Sequence, residues 1–357
     1  MKRAAVDYYR KVARWILPHL KDRPVSIKRF PGPVGGLAFW EKDAPAFTPK
    51  WVRTVDVPRR SDGTTIHYIV VDDVKTLTWI ASVGGIEIHP FLHRAPRLGE
   101  ATAVVFDLDP GEGATFAQCC DVALILRHAL SSLKLKAFAK VSGSKGLQVY
   151  VPLNSGATHA TTEAFARIVA EELARAHPSL IVAEMAKALR KKKVFIDWSQ
   201  NADYKTTVAV YSLRATGRVS MPVTWEEVEL RERLDFTTSE ALARVRKLGD
   251  LFEPVLTLKQ QLMWSAPAMP ALSQRRHGRR TPERSQSGRH RFVKTKTELR
   301  LEAGGIFPIR DKLEDRGTYE IIAYDDSGYD LWFSGAAMQG RWLLRKSGRS
   351  WSLAPTA

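Results

Sequence analysis

Val104-Val105-Phe106-Asp107-Leu108-Asp109-Pro110-Gly111 is the stretch that decides the reading of this chain. Ala103 to Phe106 are small or apolar and predict a buried strand, and Pro110-Gly111 predicts its end. Residues i and i+2 of a strand share a face, so Asp107 and Asp109 project together. Two carboxylates side by side in a low-dielectric site repel strongly. A hard cation between them relieves that repulsion, and carboxylate oxygens suit Mg²⁺ or Mn²⁺. Taken alone, such a pair is more often a solvated strand end or an Asp-Pro-Gly turn; the rest of the chain reverses those odds.

The chain has 357 residues, 44% hydrophobic and 26% charged, enough for two domains with cores of their own. Its formal net charge of +17 favours a polyanionic partner, nucleic acid or an acidic membrane surface. Cys119-Cys120 is the only cysteine pair, which predicts a reducing compartment and no disulfide framework. No apolar run reaches membrane-spanning length and no signal-peptide core opens the chain, so the expectation is a cytoplasmic protein with no membrane partner.

Helical periodicity predicts helices over 4–20, 73–82, 115–134, 161–176 and 239–248. Strands are predicted at 25–30, on either side of the turn 61–63, at 86–90, 136–141, 147–153 and 194–196. Composition divides the chain into 1–270, a basic flexible linker over 271–300, and a small β module over 301–357. Residues 275–300 hold ten Lys or Arg against two Glu and few apolar residues. No internal repeat is visible.

Three chemical signals fall in order. Asp107 and Asp109 come first. Ser142-Gly143-Ser144-Lys145-Gly146 follows, a tight turn whose backbone N–H groups, hydroxyls and lysine suit an anion. It lacks the spacing of a P-loop. Asp197 is third, at the end of an apolar strand and directly after the basic run Lys187 to Lys193. Three carboxylates can hold two divalent ions about 3.5–4 Å apart, the arrangement of nucleotidyl transfer. Arg214, in Tyr211-Ser212-Leu213-Arg214, has the planar fork that clamps phosphate.

On these residues, together with Asp197-Trp198-Ser199-Gln200-Asn201, Arg23-Pro24-Val25 and Pro222-Val223-Thr224-Trp225, the sequence from about residue 2 to about 265 resembles the polymerase domain of bacterial DNA ligase D, a branch of the archaeo-eukaryotic primase superfamily. The resemblance implies an α+β, mixed α/β primase-like catalytic core, followed by the C-terminal β module. It implies template-directed addition of NTPs or dNTPs, often with a preference for ribonucleotides, to primer 3′-OH ends at gapped or broken duplexes during double-strand break repair by non-homologous end joining. Asp107, Asp109 and Asp197 would ligate two Mn²⁺ or Mg²⁺ ions. Lys28, Ser142, Ser144, Lys145, Gln148, Gln200 and Arg214 would bind the nucleotide; Lys2, Phe39 and Trp40 would bind DNA, the two aromatics by stacking on the template. Ku and a separate DNA ligase would be further partners, at the bacterial nucleoid.

Two departures stand out. The family commonly has a histidine where this chain has Gln148, which can hydrogen-bond a phosphate but carries no charge. The family also has an earlier segment supplying a lysine to a 5′-phosphate pocket; this sequence begins after it, and Lys2 matches a second lysine of that pocket. The 301–357 module resembles the end of the ligase D phosphoesterase domain through Arg316-Gly317-Thr318-Tyr319, Phe333-Ser334-Gly335 and Gly340-Arg341-Trp342. It lacks the His/Asp cluster of that domain and is expected to be a binding or structural remnant.

Two other classes compete. Val-Val-Phe-Asp-Leu-Asp also resembles the nucleophile strand of haloacid-dehalogenase phosphatases, but Pro110-Gly111 stands where a Gly-Thr would follow. A non-catalytic DNA-binding protein explains the charge but leaves three placed carboxylates, which oppose polyanion binding, without a purpose.

Overall fold

The computed structural model describes residues 2–32, 36–59, 63–262, 290–294, 298–301, 305–308, 315–325, 328–347 and 350–355. The chain divides into two compact units, Met1–Pro267 and Ala268–Ala357.

The first unit opens with α1 (Lys2–Leu20), whose apolar stripe Tyr9, Val12, Ile16 and Leu20 is wholly buried. Each such side chain contributes about 1.5–3 kcal/mol by leaving water. Beside α1 lies a five-stranded sheet of β1 (Pro24–Arg29), β2 (Phe39–Glu41), β3 (Thr54–Pro58), β4 (Thr65–Val70) and β5 (Gly85–Pro90), with α2 (Val74–Ser82) between β4 and β5; α1 packs on α2, and Tyr9 Oη donates to the Ile86 carbonyl of β5 at 2.6 Å. β1 is its hub, antiparallel to β2, β4 and β5.

The second sheet carries the aspartates. It is built from β6 (Glu100–Pro110), β7 (Phe138–Val141), β8 (Leu147–Thr158), β9 (Ile181–Val182), β10 (Val194–Asp197) and β11 (Pro222–Val223), in the order β11-β7-β8-β6-β10-β9. α3 (Phe116–Ser132) and α4 (His159–Ala176) pack on it. α5 (Trp225–Glu229), α6 (Thr238–Leu248) and α7 (Pro254–Thr257) complete the unit. Thr115, Thr158, Thr224 and Thr237 cap α3 to α6 through their side chains, satisfying N–H groups that would otherwise lack partners. β6 lies in the interior of the sheet between β8 and β10, with Val104, Val105, Phe106 and Leu108 fully buried. The mixed helix-and-sheet class expected from the sequence is the class observed. β6 runs through both aspartates and ends at Pro110, where Pro110-Gly111 predicts its end, with pairing to β10 holding that last stretch; it begins at Glu100, ahead of the apolar run.

The second unit holds one antiparallel seven-stranded sheet: β12 (His290–Lys294), β13 (Glu298–Leu301), β14 (Gly305–Pro308), β15 (Asp315–Asp325), β16 (Gly328–Gly335), β17 (Gln339–Ser347) and β18 (Ser350–Pro355), in the order β14-β13-β12-β15-β16-β17-β18. β12 and β13 fall inside the stretch that charge assigns to the 271–300 linker. The reason is their alternation: Phe292 pairs with Leu301 and Gly317, and the flanking cations do not prevent a strand ladder. Residues 271–289 of that linker lie outside the described residues.

Candidate active site

Strand register assembles the site. Across the second sheet, Asp197 of β10 pairs with Asp107 of β6, Asp107 with Gln148 of β8, and Gln148 with Lys140 of β7. Directly paired residues project to the same side, so these four form one row, and Asp109 stands beside it two residues along β6. The turn 142–146 closes the β7–β8 hairpin just beyond the Lys140–Gln148 pair of this row. Its closeness to β6 requires glycine, because a Cβ on Gly146 would lie 2.0 Å from the carbonyl oxygen of Leu108.

The electrostatics are those of crowded carboxylates. Burial, then the charges of Asp109 and Asp197, push the Asp107 carboxyl well up, with Gln148 and Lys140 opposing. Burial and Asp197 raise Asp109 likewise, against Arg190, Arg214 and Lys145. Burial lowers the ammonium of Lys140 to about 7, against the attraction of Asp107; its Nζ donates to Ser220 Oγ at 2.7 Å. Asp197 is oriented by its own 3₁₀ turn. Oδ1 accepts from the Ser199 N–H (3.0 Å) and hydroxyl (2.6 Å), and Oδ2 accepts from Gln200 Nε2 (2.7 Å). Oδ2 therefore keeps a lone pair for a further partner. Asn201 anchors that turn by bonding both the N–H and the carbonyl of Val105 at 2.8 Å.

The turn holds itself closed. Ser142 Oγ accepts from the N–H groups of Ser144 and Gly146, each at 3.3 Å. Two of the backbone donors expected to cradle an anion are thus directed inward, and the exposed Lys145 and half-buried Ser144 are what the turn offers outward. Gly143 adopts φ 70°, and a Cβ there would lie 2.8 Å from Arg214 Cγ, so the arginine stem packs directly against the turn.

The first sheet supplies the opposite wall. Trp40, Lys28 and Glu87 pair in a row across β2, β1 and β5. Glu87, 2% exposed, is the hub: it faces Lys28 Nζ at 3.7 Å, Arg214 Nε at 3.3 Å and His89 Nε2 at 3.1 Å, and Oε1 accepts from the Ala215 N–H at 3.0 Å. Burial pushes Glu87 up, but the His89 hydrogen bond, the Arg214 charge and the Ala215 N–H together outweigh it and hold the carboxyl at about 2. Burial keeps His89 neutral, down to about 4. Trp40 meets the His89 ring edge-on at 4.6 Å.

The structure therefore gathers Asp107, Asp109, Asp197, Gln148 and Gln200 in one cluster. Ser142, Ser144, Lys145 and Arg214 lie along its edge, and Lys28 and Trp40 join through Glu87 and His89. It separates the two aromatics expected to bind DNA. Phe39 pairs beside Arg29, whose guanidinium lies 5.5 Å from its ring, on the opposite face of β2 from Trp40. Lys2 lies outside the cluster, with Nζ donating to the Pro31 carbonyl at 2.8 Å. Lys140, Glu87, His89 and Arg190 are site residues that motif reading missed. The signal for the first three was polar residues alternating into otherwise apolar strands, Lys140 alone in β7 and Glu87 with His89 in β5.

The donor set suits a divalent ion: carboxylates that resist ionising together and a buried Gln148 Oε1 with no hydrogen-bond donor. Among the described residues, no three acidic, histidine or cysteine side chains already converge as closely as ligands around an ion.

A family model described as "LigD, primase-polymerase domain" matches residues 1–252. A multifunctional non-homologous end joining protein LigD of Mycolicibacterium smegmatis is 39% identical over 258 residues, covering 71% of this chain and 34% of that protein. A multifunctional non-homologous end joining DNA repair protein LigD of Mycobacterium tuberculosis is 34% identical over 368 residues, covering 94% of this chain and 47% of that protein. The chain thus spans less than half the length of these relatives. The polymerase domain of Mycobacterium tuberculosis ligase D, solved in complex with DNA, superposes with a TM-score of 0.69 at 38% identity, over 73% of this chain and 93% of that domain.

Proposed function

The chain belongs to the LigD primase-polymerase family, and from that premise we propose that its first unit adds nucleotides, directed by a template, to primer 3′-OH ends at gapped or broken DNA duplexes. The observation that carries this is the register that sets Asp197 and Asp107 side by side, with Asp109 two residues on and Arg214 packed against the turn beyond. The phosphatase alternative is displaced by the family membership.

Asp107, Asp109 and Asp197 would hold two Mn²⁺ or Mg²⁺ ions, which when bound lower the pKa of an attacking hydroxyl and neutralise charge on a leaving pyrophosphate. Lys145, Ser144 and Arg214 bind the triphosphate from one side, and Lys28 from the other. Glu87 holds Lys28 and Arg214 at a fixed separation although both are cations. Ser199 and Gln200 keep the Asp197 carboxylate aimed at Asp107. Lys140 offsets the negative charge of the row where water does not reach. Trp40 offers an aromatic face to the template, and base stacking contributes about 1–3 kcal/mol per base. The nucleotide, Ku, a separate ligase and a place at the nucleoid belong to the same proposal. Among the described residues no helix is long and apolar enough to cross a membrane.

The test is primer extension on a gapped duplex with Mn²⁺ or Mg²⁺ and with NTPs or dNTPs. Extension is expected with both metals and with NTPs at least as well used as dNTPs, and an Asp107→Ala, Asp109→Ala double variant should bind DNA but not extend it. Extension by the double variant would refute the site.

A further inference from the structure

A groove of about 740 Å³ opens between the β3–β4 hairpin and the turn that carries Tyr204. Its walls are Tyr68, Phe91 and Tyr204; Lys42 and Arg59 bring positive charge, Asp203 a carboxylate, and His93 lies among them. Tyr204 is half exposed, whereas Tyr68, Phe91 and His93 are buried.

The hydrogen bonds fix what His93 presents. His159 Nδ1 lies 2.9 Å from the carbonyl oxygen of Asn201, which only accepts, so Nδ1 carries the proton. Burial keeps the His159 ring neutral, leaving its Nε2 an acceptor. That nitrogen is 3.0 Å from His93 Nδ1, which must therefore donate. The same burial holds His93 down to about 3. His93 Nε2 is then a lone pair, 1% exposed as a residue, with no hydrogen-bond donor. A buried acceptor left unpaired is destabilising, and a ligand bearing an N–H would recover that loss.

Lys42 lies two residues beyond Trp40, and Phe91 two beyond His89. The groove therefore borders the ends of the two strands on which Trp40 meets His89, and His159 links its His93 wall to Asn201 and the Asp197 turn. Aromatic walls, a cationic rim and one oriented acceptor suit a nucleobase on a strand, because every unpaired base has a stacking face and an N–H edge.

We propose that this groove takes one unpaired base of a nucleic-acid strand running on past Trp40, the base edge donating to His93 Nε2, its face against Tyr204, and its flanking phosphates drawn to Lys42 and Arg59. The proposal rests on the polymerase reading for its strand and names where that strand goes.

The experiment uses the full chain and primer–template duplexes with short (about two nucleotides) or long (about eight) template overhangs, 2-aminopurine being placed at each overhang position in turn. One position should be quenched, and the long overhang should bind about tenfold more tightly, as expected for one stacked base. Tyr204→Ala and His93→Phe should each remove most of that gain and the quench, leaving short-overhang affinity and extension unchanged. His93→Gln, which can return an acceptor at similar reach, should keep part of it. If His93→Phe fails to fold, Tyr204→Ala at its half-exposed position still decides. Equal quenching at all positions, or loss of short- and long-overhang binding alike, overturns the proposal. Position-specific quenching without extension by the unmodified chain would sink the polymerase reading and leave the groove standing; extension without such quenching sinks the groove alone.

Discussion

Glu87→Gln tests whether the buried carboxylate is what holds Lys28 and Arg214, the cations proposed to bind the nucleotide, in place. Glutamine keeps the shape and can still accept from the Ala215 N–H, so the change removes mainly charge. Folding takes the carboxyl from its ordinary 4.5 to about 2; at about 1.4 kcal/mol per unit of pKa this is a contribution of about 3 kcal/mol at pH 7. Because the folded value is depressed, that contribution is fully present above about pH 4.5 and is lost as pH falls towards 2. Near pH 3.5 about 1 kcal/mol of it should have gone. Urea unfolding of both proteins at pH 7 and 3.5 measures this, and the gap between them should narrow on acidification. In the same variant Lys28 and Arg214 repel with nothing between them, so KM for the nucleotide should rise about tenfold with a smaller change in kcat. A variant as stable as the unmodified protein at pH 7, or a gap that widens towards pH 3.5, would refute the assignment of Glu87 as the hub.

Asp107→Asn should stabilise the ion-free protein at pH 7 by about 1–2 kcal/mol while abolishing extension, because it removes one of three crowded carboxylates. A raised carboxyl destabilises only above its unfolded value, so the gain should vanish as pH falls through about 3.8, as thermal melts across that range would show. Gly146→Ala should cost about 1–3 kcal/mol, because its Cβ would overlap the Leu108 carbonyl and force β6 and the turn apart; unchanged urea midpoint and extension rate would contradict this. Replacing Arg275, Arg276, Arg279 and Arg280 by Gln should flatten the plot of log K against log salt by about 0.9 for each phosphate of duplex DNA that is no longer neutralised, read by fluorescence anisotropy, and leave extension at saturating DNA unaltered.

The short motifs were legible in the sequence as a set: the Asp107/Asp109 spacing, the glycine turn, Asp197 and Arg214 are each ordinary alone, and their order suggested the cluster that strand register forms. The cross-strand alignments were not. That Gln148 stands between Asp107 and Lys140, or that Trp40, Lys28 and Glu87 line up, depends on register between distant strands, which hydrophobic alternation constrains without specifying. Lys140 interrupts apolar β7, and Glu87 and His89 alternate through apolar β5, a pattern equally suited to an exposed face. Phe39 and Trp40 look like one stacking unit in the sequence, but adjacent residues of a strand face opposite ways. At β12 the density of arginine and lysine hid a period-two strand whose partners are supplied by β13 and β15.

Asp197 reaches the centre of the site on β10, whose outer neighbour β9 is only two residues long. The third carboxylate therefore depends on a thin margin of the sheet that can open without the rest of the unit. Sub-global openings of this kind need less free energy than global unfolding. Catalytic competence should be the first property lost in mild denaturant and the last regained on refolding. In the interval, most amides of the β6–β8 pair would still resist hydrogen exchange, and the molecule would be folded by every spectroscopic measure yet silent.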